Sequence, residues 1–245
     1  LSSNQLTKTP TTITAKGAYI VTGGLGGLGL KTARVLVELG VTQLVLLSRS
    51  GKVTHSGQGL EEELEALQSM SHVTVHIHKC DVSNEAEVTD TLQHIRQHVG
   101  SIDGIIHSAG VVRDGLMRTG AVLHGCQEVW SAKAHSAWLL HKHTQQDKIQ
   151  LFVTYSSVTA AVGNIGQAAY GAANRYIDWL MSNRQASGQP GLSIRWPAIS
   201  DVGMAVALMN DKSTLEGEGW AIDSTEFCTV IRNLLVCSSA DCHPV

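Results

Sequence analysis

Four side chains have the types and spacing to move a proton onto a carbonyl oxygen. Tyr170 and Asn174 stand in AAYGAANRYIDWL, residues 168–180. Residues four apart in a helix share a face, so phenol and amide point the same way. A free phenol titrates near ~10 and needs a nearby positive charge to exchange protons at neutral pH. A lysine four residues on would supply that charge from the same face, but Asn174 holds the position. Lys133, in EVWSAKAHSAWLLH, is the only lysine between Lys79 and Lys142. If its helix packs against the one bearing Tyr170, its ammonium enters the site. Ser157 lies thirteen positions before Tyr170, after a strand-like run. Its hydroxyl could donate to an oxygen on which negative charge develops. Plainer readings stay open. Tyr170 and Asn174 could be a packing face, Ser157 a turn residue and Lys133 a solvated charge.

Such a site needs a frame. The runs 17–22, 43–48, 73–79, 103–108, 151–156 and 192–196 read as strands. Helical patterns near 27–39, 59–69, 84–98, 123–144 and 168–186 alternate with them. Regular β-α alternation predicts an α/β fold, a doubly wound, Rossmann-like parallel sheet in a single domain. No internal repeat or low-complexity segment interrupts it. In such sheets ligands bind beyond the C-terminal strand ends, where Ser157 and Tyr170 fall.

The glycine-rich turn YIVTGGLGGLGLKTARVLVELG follows the first strand and opens the first helix. Gly24-x-Gly26-x-x-Gly29 fits one dinucleotide spacing; Thr22-Gly23-x-x-x-Gly27-x-Gly29 fits another. Glycines let the backbone approach a pyrophosphate, and the helix N-terminus supplies free N–H groups. Leu25 and Leu28 lie inside this turn. The alternative is a turn that serves helix–sheet packing alone. At the end of the second strand an acid would bind a ribose 2′-hydroxyl; the sequence has Ser48-Arg49-Ser50. Arg49 can form charge-assisted bonds to a 2′-phosphate, so NADP(H) is expected over NAD(H). A solvent-exposed arginine at a loop start is the other reading. After the third strand, Asp81 could accept from the adenine amino group beside Val82, or cap the next helix. Small residues Ser108, Ala109 and Gly110 end the fourth strand and would let the backbone pass close to a ribose.

Composition excludes other classes. The chain has 245 residues, 43% hydrophobic and 16% charged, which suits one globular domain. With a net charge of −3 and no basic block, nucleic acid is not an expected partner. No apolar run reaches the roughly 20 residues that span a bilayer. Five scattered cysteines, Cys80, Cys126, Cys228, Cys237 and Cys242, lack Cys-x-x-Cys spacing. A reducing, cytoplasmic setting and no structural metal are expected. The pairs His76/His78 and His141/His143 are two apart and on a helix would not face each other, which speaks against metal binding. The polar stretch 1–16 reads as a linker into a domain over 17–245, and it has no signal-peptide character. The first residue is Leu and not Met, as in a piece of a longer protein or a trimmed chain.

Taken with Thr22-Gly23-Gly24, Ser48-Arg49-Ser50-Gly51, His107-Ser108-Ala109-Gly110, Tyr170-Gly171-Ala172-Ala173-Asn174 and Trp196-Pro197, these features make the chain similar to short-chain dehydrogenases/reductases. More narrowly it resembles the catalytic half of the ketoreductase domains of type I polyketide synthases and animal-type fatty acid synthases. In that family the lysine comes from the earlier helix and asparagine takes the position four after the tyrosine, which matches Lys133, Ser157, Tyr170 and Asn174. The resemblance implies NADPH-dependent reduction of a β-ketoacyl thioester carried on the phosphopantetheine arm of an acyl carrier protein. It implies neighbouring synthase domains as partners, including a noncatalytic structural half. Trp196-Pro197 departs from the family's Trp-Gly and places Pro197 near the expected nicotinamide pocket. The stretch 201–219 could cover the arm as a lid, or form an ordinary surface helix. Family members making the (3R)-hydroxyl tend to carry Leu-Asp-Asp after the fourth strand; those making (3S) tend to carry a Trp shortly before the tyrosine. Here Val112-Arg113-Asp114 and Val162 stand there, and (3R) is the expectation. Two rival readings are a freestanding reductase of a small ketone and a noncatalytic NADP-binding scaffold.

Overall fold

The computed structural model describes residues 13, 16–54, 57–115, 121–208 and 221–238. The expected linker over 1–16 lies almost wholly outside them, and so does the part 209–219 of the expected lid over 201–219.

Six strands form one parallel sheet: β1 (Ala18–Thr22), β2 (Gln43–Ser48), β3 (Thr74–Lys79), β4 (Ile102–His107), β5 (Leu151–Ser157) and β6 (Leu192–Trp196). Their order is β3-β2-β1-β4-β5-β6. The direction of winding reverses between β1 and β4, and in sheets of this kind the crevice for a ligand lies at that switch point, beyond the C-terminal strand ends. The crossover helices are α1 (Gly27–Glu38), α2 (Leu60–Gln68) and α3 (Glu85–His98). They continue with α4 (Ala121–Trp130), a π-helical segment (Ser131–His135) and α5 (Ser136–His143). Beyond β5 come the short α6 (Thr159–Val162) and the long α7 (Ala168–Ala186). After β6 the chain forms α8 (Met204–Leu208), α9 (Ser224–Ser238) and a small parallel pair of β7 (Ala198–Ile199) with β8 (Ala221–Ile222).

Strand alternation divides the core into two layers. Tyr19, Val21, Leu44, Leu46, Val153 and Tyr155 face one side, against Leu30 and Leu36 of α1 and Phe227, Ile231 and Leu235 of α9. Ala18, Ile20, Val45, Leu47, Ile105 and Phe152 face the other, against α3, α5 and α7 through Leu92, Leu140 and Ile177. Covered on both faces, β1 and β4 are buried at every position, which explains why both are mainly apolar, with Asp103 and His107 the buried polar exceptions in β4. The helix α3 starts where Asn84 caps it by accepting from the backbone N–H groups of Ala86 and Glu87.

The histidine pairs correct one expectation. His76 and His78 belong to β3, where residues two apart share a face, so the helical argument does not apply to them. The His78 ring meets His94 edge-on at 5.0 Å, and His94 stacks on His98 at 4.3 Å. His141 and His143 do diverge on α5: His141 meets Arg184, and His143 meets Glu85. Among the described residues no three His, Cys, Asp or Glu side chains are disposed to hold a metal ion. Among them, too, no helix is long and apolar enough to cross a membrane.

Candidate active site

The glycine turn joins β1 to α1 at the switch point. Gly23 has φ +64°, a conformation that a side chain strains. A Cβ on Gly29 would run into the carbonyl oxygen of Gly23, so the helix packs on the turn backbone to backbone. Gly26 is the N-cap of α1, no side chain caps the helix, and no acid lies in its first turn. Its free N–H groups and positive dipole end are thus left for an anion such as a pyrophosphate. Leu25 is buried and Leu28 packs partly against the core, so the two leucines anchor the turn.

Three hydrogen bonds lock β1 to β4 across the crevice. Ser108 Oγ donates to the Thr22 carbonyl at 2.6 Å. The Ala109 N–H donates to Thr22 Oγ1 at 3.2 Å, and Thr22 Oγ1 meets His107 Nδ1 at 2.8 Å. The other ring nitrogen of His107, Nε2, faces the Lys133 carbonyl at 3.0 Å. A carbonyl only accepts, so Nε2 carries the proton and Nδ1 accepts from Thr22. Burial first, and then the charge of Lys133, push this imidazole down to about 3, so it stays neutral. It ties the C-terminal edge of the sheet to the segment that presents Lys133.

That segment is the π turn. A π turn holds one residue more than the α-helix around it. Here it delivers Lys133 inward, 2% exposed, with Nζ donating to the Tyr155 carbonyl at 2.7 Å. The same Nζ lies 5.9 Å from the centroid of the Tyr170 ring. A Cβ on Gly110 would press on Lys133 Cε at 3.0 Å, so this glycine keeps the ammonium's path clear. Burial pushes the Lys133 amine down to about 8, while the Asp178 carboxylate pulls it up. Asp178 itself is held by Ser193 Oγ at 2.6 Å and Arg195 Nε at 2.8 Å.

Tyr170 and Asn174 sit one turn apart on α7, as the spacing predicts. Asn174 Nδ2 donates to the Tyr170 carbonyl at 2.9 Å, and its Oδ1 is buried without a partner. A buried orphan acceptor implies a missing donor, such as a water. Burial raises the Tyr170 phenol above its ordinary value; the Asn174 side chain opposes this and the Asp114 charge adds to it. Ser157 ends β5 and is 8% exposed. Its Oγ accepts from the backbone N–H and the hydroxyl of Thr159, at 3.2 and 3.0 Å. Its own proton is therefore free to be donated outward.

The remaining expected residues fall on the same sheet edge. Ser48 ends β2, its Oγ accepting from the Gly51 N–H at 2.9 Å. Arg49 follows, exposed, and forms no ion pair among the described residues. Asp81 Oδ1 accepts from the N–H and hydroxyl of Ser83, at 3.0 and 2.7 Å, while the helix cap falls to Asn84. Val82 is buried beneath. Pro197 follows β6, where the Trp196 carbonyl accepts from the Val158 N–H at 3.0 Å. Sequence reasoning missed His107 as the link to Lys133, and the place of Gly203 against Gly27. A polar residue closing a buried apolar strand was the available signal for His107. Nothing local signalled Gly203, whose N–H donates to Gln58 Oε1 at 2.8 Å.

Known proteins share this fold and much of this sequence. Residues 17–201 match the family model described as KR domain. The chain is 40% identical over 199 residues to a naringenin synthase of Pestalotiopsis fici, which covers 80% of this chain and 7% of that protein. It is 34% identical over 217 residues to the polyketide synthase GfsA of Streptomyces halstedii, covering 87% of this chain and 3% of that protein. Among solved structures, an A1-type ketoreductase superposes with a TM-score of 0.76 at 30% identity, over 91% of this chain and 46% of that one. The ketoreductase from the first module of phoslactomycin biosynthesis in Streptomyces sp. HK803 gives 0.77 at 27%, over 95% and 52%. The chain thus spans about half the length of the solved ketoreductases and a small part of the large multidomain synthases it matches. From its matched residues, its sheet order and its structural neighbours, the chain belongs to the KR domain family, the ketoreductase domains of polyketide synthases.

Proposed function

We propose that the chain reduces a β-ketoacyl thioester to the β-hydroxyacyl thioester, with NADPH as reductant and an acyl carrier protein presenting the substrate. The observation that carries this reading is the convergence of Lys133 on Tyr170 from a separate helix. Ser157 donates its free proton to the substrate carbonyl oxygen. Tyr170 acts as general acid and protonates that oxygen as charge develops. The Lys133 ammonium favours the phenolate that remains. Asn174 holds a relay water with its orphan Oδ1, or orients Lys133. NADPH, when bound, supplies the hydride.

The cradle fits that cofactor. The uncapped start of α1 receives the pyrophosphate, and Thr22 to Gly29 let the backbone come close. Ser108, Ala109 and Gly110 leave room for the ribose, Asp81 and Val82 flank the adenine side, and Pro197 borders the nicotinamide. Arg49, exposed and without an ion pair, is free to take the 2′-phosphate. A hydrogen bond to a charged group is worth about 1.5–3 kcal/mol. Arg49→Ala is therefore expected to weaken NADPH binding roughly ten- to hundredfold and leave NADH binding nearly as it was. Equal losses in fluorescence titrations of the two cofactors would place the 2′-phosphate elsewhere.

Partners follow from the same reading. Trp130 on α4 and Trp179 on α7 are 43% and 53% exposed, joined through Tyr176 at 5.2 and 5.6 Å. Exposed aromatic clusters mark contact surfaces, and this one suits an adjoining structural half.

The direct test is oxidation of NADPH by the chain in the presence of a simple 3-ketoacyl thioester, with chiral chromatography of the product. Asp114 accepts from Gln167 Nε2 at 2.9 Å, which ties the loop after β4 to the start of α7. With that entrance occupied and Val162 in place of a bulky ring, mainly (3R)-hydroxyacyl product is expected. About 1.4 kcal/mol between the two transition states gives a tenfold bias. Cofactor binding without ketone-dependent oxidation would mean a noncatalytic scaffold. A (3S) product would mean that neither Asp114 nor Val162 steers entry.

A further inference from the structure

Far from the catalytic groups, the opposite end of α7 carries a charge that the reductase does not use. Arg184 is 3% exposed. Its Nε donates to the Pro190 carbonyl at 2.7 Å, one terminal nitrogen donates to His141 Nδ1 at 2.8 Å, and the guanidinium lies 4.4 Å from the Phe152 ring centroid. All three partners are neutral. Arg34, Arg96, Arg113, Arg195 and Arg232 each reach a carboxylate. Arg49 and Arg175 do not, but both are exposed. Among the described arginines, Arg184 alone is buried without a counter-charge.

A guanidinium has five N–H donors, and two of these are engaged. Beside it lies a cavity of about 50 Å³, lined by His141, Leu180, Asn183, Arg184, Ser187 and Gln189. Asn183 and Ser187 are exposed, which gives the cavity access to solvent. The lining bears no negative charge; the Ser187 hydroxyl is spent on the Asn183 carbonyl at 2.9 Å, but an amide nitrogen has two N–H donors, so Gln189, with one on Gln145 at 3.1 Å, keeps another. A cation desolvated with no partner is strongly unfavourable, and a charge in such a place is normally paired. We propose that this cavity is an anion site, in which Arg184 binds a small monovalent anion of the size of chloride or formate. The volume exceeds what one water needs and is far too small for a nucleotide. Burial alone moves Arg184, down to about 10, with no carboxylate opposing it. His141 is held low by burial and by the Arg184 charge, so it stays a neutral acceptor and does not compete for the anion. Arg184 lies fourteen residues along α7 from Tyr170, about 21 Å at the helical rise. The site is therefore separate from the crevice, and its test does not depend on reductase activity.

The test is the thermal unfolding midpoint of the 245-residue chain at constant ionic strength, with sodium gluconate replaced stepwise by sodium chloride or sodium formate. Gluconate is too large for the cavity. A saturable rise of roughly 3–6 °C is expected at tenfold above the dissociation constant. Arg184→Met should abolish it. Because that variant also loses the bond to Pro190 and could fail to fold, Asn183→Asp provides the second arm. It is nearly isosteric and places a carboxylate in the cavity. It should raise the midpoint in gluconate alone and remove the response to chloride and formate. Identical curves in gluconate and chloride for the wild-type chain would overturn the proposal. So would an Asn183→Asp variant that keeps the full wild-type response.

Discussion

Tyr170→Phe is expected to lower turnover of a β-ketoacyl thioester by about 10²–10⁴-fold, the range that a positioned general acid supplies. NADPH affinity should hardly change. The ring stays in its packing with Val129, Ala134 and Ala173, and only the phenolic O–H is lost. The loss should therefore fall on kcat, because the proton is delivered in the transition state and not in the ground state. Single-turnover measurements at saturating NADPH separate the two effects. Near-wild-type turnover would remove Tyr170 from the mechanism.

Lys133→Met carries the second large effect, and its sign can be worked out. The amine sits at about 8 in the fold against 10.5 for a free lysine. Its charge is present below about 8 and lost above it, so reduction by the wild-type chain should fall as pH rises through that value. Removing a pre-positioned charge or donor costs roughly 10²–10³-fold in rate. The variant also loses this alkaline limb. Its remaining acid, Tyr170, is raised above its ordinary value, so the limb should move upward. Stability provides an independent readout. Between about 8 and 10.5 the unfolded wild-type chain binds the lysine proton and the folded chain does not, so stability gains with rising pH across that window. The methionine variant should lack that gain. An unchanged pH–rate profile would mean that the charge beside Tyr170 comes from elsewhere.

The sheet was readable because it is parallel and covered on both faces. Its central strands carry mainly apolar runs such as YIV and GII, and the helices between them have ordinary lengths. The four catalytic candidates were readable from type and spacing, and the chain's resemblance to a known family joined Lys133 to Tyr170. What stayed hidden depends on tertiary context. Nothing in SAKAH marks a π turn, because its residues favour the α-helix as readily. The helix α9 was overlooked although Phe227, Ile231 and Leu235 recur at helical spacing, since it follows a long polar stretch and not a strand-like run. The pair β7 and β8 is too short for any period to register. His107 reads as one more histidine until Thr22 and the Lys133 carbonyl are placed on either side of it.

The π turn also limits how this protein can change in length. Each residue advances an α-helix by about 100°. A π turn spreads one extra residue over about the same rotation, so deleting one residue of Ser131–His135 would restore a regular helix with Ala121–Trp130 and Ser136–His143 still in phase, and the bulge itself would be lost. Lys133 would then lose the wide turn from which its Nζ reaches the Tyr155 carbonyl. Exposed loops elsewhere can gain or lose residues at little cost, but here a change of one residue in length acts like a tooth missing from a gear. Among variants of this chain that still work, the residue types around Lys133 in this stretch can differ while the count between Trp130 and Ser136 stays constant.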